Sequence, residues 1–202
     1  MALKLHRRIV SFEPLAGGFE VLERNSRNDT DWQVHRLALG RTSGTATINH
    51  CKSDAFSSLR EPSAYGQQRF KWQMQVTGRE PITISTLPEV WDGAVKGIAD
   101  PRVFLKLDTQ GYDLEILLGA DDVVGKVLGV QTELALRPIY RDMPDYIEAL
   151  AAFRDRGFDI TGFYPITRDK QSLAVIEYDC FMGRRTAASQ NKTEGRNEPA
   201  GS

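Results

Sequence analysis

Residues 103–120 read VFLKLDTQGYDLEILLGA. Val103, Phe104 and Leu105 form an apolar run that Leu107 extends and Asp108 stops. A short polar turn containing Gly111 follows. Leu114, Leu117 and Leu118 then recur at helical spacing, and Gly119 closes the segment. The periodicity changes from strand-like to helix-like within a few residues, with an acid at the switch. In open α/β sheets ligands bind at the carboxyl ends of strands, which makes Asp108 a candidate site residue. The plainer reading has Asp108 and Thr109 capping the helix, a position both residue types favour.

Before this stretch, residues 8–13 (RIVSFE) read as a short buried strand that Pro14 helps to end. A helix is expected over residues 16–27, a second strand over 32–39 and a third over 45–49. Residues 52–78, with several serines, Gly66 and the Gln67-Gln68 pair, read as a long loop; such loops inside a compact domain are usually functional or mobile. A strand over 79–85 and a short helix over 87–95, with Thr86 as its cap, complete the first half.

After it come a strand over residues 127–134 with Glu133 near its end, an amphipathic helix over 143–156 and a stop at Gly157. Residues 158–165 and 173–181 read as an antiparallel hairpin. Strands alternating with helices before a final hairpin predict an α/β fold, mostly parallel with a C-terminal antiparallel hairpin. From residue 183 the chain is polar and is expected to be a disordered tail.

The 202 residues, 41% hydrophobic and 26% charged, suit one soluble domain with its own core. A net charge of −1 gives no electrostatic case for a nucleic-acid or anionic-membrane partner. Cys51 and Cys180 stand far apart, so neither a zinc site nor a disulfide framework is expected, and a cytoplasmic setting fits. No apolar run is long enough to span a membrane, and the N-terminus does not read as a secretory signal.

Glu13 ends the first strand much as Asp108 and Glu133 end later ones. In doubly wound folds an acid at such a strand end commonly bonds the ribose hydroxyls of an adenosine cofactor, since two acceptor oxygens match a vicinal diol. RIVSFEPL, WQVHRLALG with GTATIN, FLKLDTQGYDLEILLGA, VQTELALRPIY, and YIEAL with RGFDITGFYPI and IEYDCF occur in one order. Together they resemble the FkbM family of S-adenosylmethionine-dependent methyltransferases. Lys106, Leu107, Asp108, Gln110, Gly111, Asp113, Glu115, Ile116, Leu117, Gly119 and Ala120 carry its most recognisable element.

The resemblance implies a Rossmann-like class I methyltransferase sheet, S-adenosylmethionine as cofactor and Glu13 as the residue on its ribose. It implies O-methylation of a sugar or natural-product hydroxyl, a small-molecule or glycan substrate. Such a transfer needs the hydroxyl in line with the methyl group and an acceptor for its proton. Asp108 is the first candidate to orient or deprotonate the substrate; Glu133 and His35 come after it. No metal ligand is assigned, although Asp108, Asp113 and Glu133 are the carboxylates a cation site would draw on.

In one respect the chain departs from the family's pattern. No Gly-rich turn resembling D-x-G-A-N-x-G stands before the strand that ends in Glu13. Residues 7–182 are therefore expected to form an N-terminally incomplete domain, without the first strand and helix and with cofactor binding compromised. The strands ending in Glu13 and Asp108 would face a gap, or close up into a six-stranded sheet. A non-catalytic remnant or interaction module that keeps the scaffold is the alternative. The oligomeric state is left open.

Overall fold

The structure is a computed structural model and describes residues 8–185. The expected tail lies, from residue 186 onward, outside the described residues; its first two positions, Gly183 and Arg184, belong instead to the last strand. The described strands form three sheets.

In the first sheet β1 (Ile9–Phe12) pairs in parallel with β2 (Trp32–His35), and α1 (Ala16–Ser26) connects them. The second sheet sets β5 (Val76–Ser85), which α3 (Leu87–Ala94) follows, between β3 (Ala38–Leu39), parallel to it, and β4 (Gly44–Cys51), antiparallel to it. The third has the order β6 (Val103–Lys106), β7 (Val127–Ala135), β9 (Val175–Arg184), β8 (Phe158–Arg168). There β6 and β7 are parallel across α4 (Asp113–Leu118), and the other two pairings are antiparallel.

The α/β class and the final hairpin agree with the sequence reading, but a mostly parallel sheet does not. Three strand pairs are parallel and three antiparallel among the described residues. The single strand expected over residues 32–39 is also corrected. It breaks at Arg36 and Leu37, because its two halves serve different sheets. Nor do the strands ending near Glu13 and Asp108 close up: among the described residues β1 pairs with β2 alone and β6 with β7 alone.

The main core lies between the third sheet and the helices after its strands. Leu114, Ile116 and Leu117 of α4 and Phe153 of α5 (Tyr146–Asp155) pack with Val127, Val130, Phe158, Cys180 and Met182. Burying side chains of this size is worth about 1.5–3 kcal/mol each. Phe12 and Leu37 pack onto the same cluster, which anchors the β1–β2 pair without a shared strand edge. A second cluster, Leu15, Ile48, Ile82 and Ile84, holds the three-stranded sheet.

The long loop expected over residues 52–78 is largely ordered structure. It contains a 3-10 turn (Asp54–Phe56), α2 (Ala64–Phe70), a second 3-10 turn (Lys71–Met74) and the start of β5. Ser63 caps α2 by accepting the Gly66 N–H at 2.9 Å. Phe70 and Met74 are buried against Ile139, Tyr140 and Ile176. A Cβ at Gly66 would lie 2.2 Å from the Ile139 carbonyl oxygen, so only glycine lets the two backbones meet here. No helix among the described residues is long and apolar enough to cross a membrane.

Candidate functional site

The turn after β6 is built around Asp113, the first residue of α4, which is only 6% exposed. Its Oδ1 accepts the Thr109 N–H at 3.0 Å and the Thr109 hydroxyl. Its Oδ2 accepts the Thr132 hydroxyl at 2.7 Å and the Glu133 N–H at 3.1 Å. One carboxyl group therefore ties the end of β6 to the end of β7. Burial pushes that carboxyl up, and the four donors offset this only in part. The helix-capping reading of Asp108 is thus corrected: Tyr112 occupies the N-cap, and Asp113 gathers the turn.

Asp108 is released for other contacts. Its Oδ2 accepts from Lys106 Nζ at 2.7 Å. Burial lowers the Lys106 ammonium, but Asp108, Glu133 and Asp179 outweigh it and hold the group above its ordinary value. Glu133, at the parallel position on β7, accepts from Gln110 Nε2 at 3.1 Å. Burial pushes the Glu133 carboxyl up to about 8, helped by the charges of Asp108, Glu177, Asp113 and Asp179.

Gln110 links these groups. It has a left-handed backbone, φ 52°, and Gly111 follows at φ 86°. Its Oε1 accepts the Tyr140 hydroxyl at 2.9 Å, and its Nε2 also reaches Asp108 Oδ1 at 3.4 Å. From residues 52–78, Ser58 donates its hydroxyl to the Gln110 carbonyl at 2.8 Å. Arg60 donates to the Gly111 carbonyl at 2.8 Å and lies 3.3 Å from Glu115. Sequence reasoning missed Ser58, Arg60 and Gln110 as site-forming residues; no local periodicity marks the first two, and only their contacts across the fold do. A small cavity lies alongside, lined by Gly111, Asp113, Glu133, Met143, Tyr146 and Phe153.

Glu13 follows β1, where its N–H donates to the His35 carbonyl at 3.0 Å. Its Oε1 accepts the Leu15 N–H at 2.9 Å. The carboxyl lies against α1 because residue 18 is glycine: a Cβ there would come within 2.7 Å of Glu13 Cδ. Burial raises the Glu13 carboxyl, and Asp54 and Glu80 add to this. Nearby, Glu80 accepts from Ala16 N at 3.1 Å, Arg36 at 2.9 Å and His50 at 2.9 Å.

Asp108 and Glu133 are therefore brought together, while no hydrogen bond or ion pair among the described residues joins Glu13 to them. His35 stacks on Phe12 with centroids 5.4 Å apart and bonds neither Asp108 nor Glu133. Asp113 spends its oxygens on Thr109, Thr132 and the Glu133 backbone, so the three carboxylates do not converge. No group of three metal-ligating side chains suited to an ion is found among the described residues.

A family model described as a methyltransferase FkbM domain matches residues 2–160. No curated protein and no solved structure matches the chain.

Proposed function

Since the chain belongs to the FkbM methyltransferase family, we propose that it transfers the methyl group of S-adenosylmethionine to a hydroxyl of a sugar or related natural product. The family match over residues 2–160 carries this reading. The ribose end of the cofactor suits Glu13: Oε1 is engaged by Leu15, and Oε2 has no hydrogen-bond partner among the described residues. A carboxylate with a free oxygen at a strand end accepts from a diol. When bound, the cofactor supplies an electrophilic methyl group.

Asp108, fixed by Lys106 and held at the carboxyl end of β6, orients the substrate hydroxyl. The reaction takes place in the cytoplasm and involves residues 7–182 as one domain. Titration calorimetry with S-adenosylhomocysteine tests the reading on the whole chain. Binding that weakens at least about tenfold in Glu13→Ala is expected; no heat from the wild-type chain at millimolar ligand overturns it.

A further inference from the structure

The two carboxylates at the carboxyl ends of β6 and β7 are not equivalent. Asp108 forms an ion pair with Lys106 at 2.7 Å, and taking a proton would cost it that pair. Glu133 makes no ion pair among the described residues, and the cation whose charge it feels, Lys106, is paired to Asp108. Its one side-chain hydrogen bond among the described residues comes from the neutral Gln110 amide at 3.1 Å, and it borders the cavity lined by Met143 and Tyr146. A proton arriving on Glu133 relieves repulsion with Asp108, Asp113, Glu177 and Asp179 without breaking an ion pair.

Gln110 is fixed from both sides, by the Ser58 hydroxyl on its carbonyl at 2.8 Å and the Tyr140 hydroxyl on its Oε1 at 2.9 Å. With Oε1 so engaged, Nε2 points its hydrogens at Glu133 and Asp108. Resting on the transferase reading above, we propose that Glu133 accepts the proton of the substrate hydroxyl, with Gln110 as the positioning residue that aims it. The hydroxyl oxygen bonds to the methyl carbon, and the carbon–sulfur bond breaks with its electron pair going to sulfur. The proton passes to a Glu133 oxygen and from there to water.

Two measurements on the full chain test this. Carbon-13 carboxyl NMR needs neither cofactor nor acceptor. Glu133 is expected to titrate near 8 and to move down by roughly half a unit or more in Asp108→Asn. In Gln110→Ala it should move up, since a donor to the ionised form is lost. A Glu133 midpoint in the ordinary carboxylate range overturns the proposal. The second measurement is transfer of labelled methyl groups to a panel of methyl glycosides. The wild-type rate should rise about tenfold per pH unit below the Glu133 midpoint. Glu133→Gln should lose this slope and at least about 100-fold in kcat while binding S-adenosylhomocysteine within about twofold of wild type. Glu133→Gln with the wild-type slope and rate overturns the proposal and leaves the transferase reading standing. Absence of S-adenosylhomocysteine binding to the wild-type chain strikes the transferase reading itself.

Discussion

Glu80 and Glu133 both sit on strands among charged side chains, and their surroundings are opposite in sign. Glu80, on β5, receives Arg36, His50 and the Ala16 N–H. The His50 hydrogen bond is foremost in holding its carboxyl below the ordinary value, and Arg36 and Ala16 add to it. Glu133, on β7, has Asp108, Glu177 and Asp179 for neighbours and, among the described residues, only the Gln110 amide as donor to its side chain, and it is pushed up to about 8. The first arrangement favours folding: an acid whose charge is matched fastens α1 and β2 to the three-stranded sheet. The second opposes folding when ionised, and groups held at such a disadvantage concentrate where chemistry is done.

The largest effect is expected at Asp113, which accepts the Glu133 N–H. Asp113→Ala removes the acceptor of four hydrogen bonds, including one from the buried Thr132 hydroxyl and one from the half-buried Glu133 N–H. It should cost about 3 kcal/mol or more in chemical denaturation, since stranded buried donors lose their partners without regaining water.

Next comes Glu133 itself. Its folded-state value lies above the unfolded one, so the folded chain binds the proton more tightly. Stability is then greatest below about 4.5 and falls as pH rises toward about 8. Glu133→Gln should remove that fall and stabilise the chain at pH 8 by on the order of 2 kcal/mol, read as the difference between denaturation midpoints at pH 5 and 8.

Glu80→Gln should move the other limb. A lowered folded-state value adds stability above the ordinary carboxylate range that is lost as pH falls through it. Because Arg36 is 51% exposed, the loss at neutral pH should be about 1 kcal/mol or less, and it should shrink with added salt.

The smallest stability change separates fold from ligand at Glu13. Gly18→Ala gains roughly 0.5–1 kcal/mol of helix propensity, offset by moving the Glu13 carboxyl that its Cβ meets at 2.7 Å. Thermal unfolding should shift little. S-adenosylhomocysteine binding measured by calorimetry should weaken as Glu13 is displaced. Equal loss of stability and binding would mean that Glu13 acts through folding alone.

Much of the site was legible in residues 103–120, because a strand, a turn and a helix in succession leave a local mark. Apolar spacing marked Leu114 and Leu117 as buried, and the break at Asp108 marked a strand end. The sequence leaves the cap open because Asp108, Thr109 and Asp113 all suit a helix start. Only the position of Thr132, nineteen residues beyond Asp113, selects Asp113 as the group that gathers the turn. In the sequence residues 52–78 read as a loop because α2 is short and contains Gly66, which lowers helix propensity. Its order comes from Phe70 and Met74 packing on Ile139 and Tyr140, about seventy residues away. The break in residues 32–39 was also hidden, since both halves are strand-like and differ only in the sheet they join.

By itself the sequence determined the α/β class, the family, and which acids stand at strand ends, since periodicity and residue order are local properties of the chain. The tertiary structure alone decided the division into three sheets, the burial of Asp113 and the difference between Asp108 and Glu133. Those depend on charges and donors that meet only when distant segments pack. A carboxylate's chemistry follows what surrounds it, and here Lys106 went to Asp108 while Glu133 was left among acids.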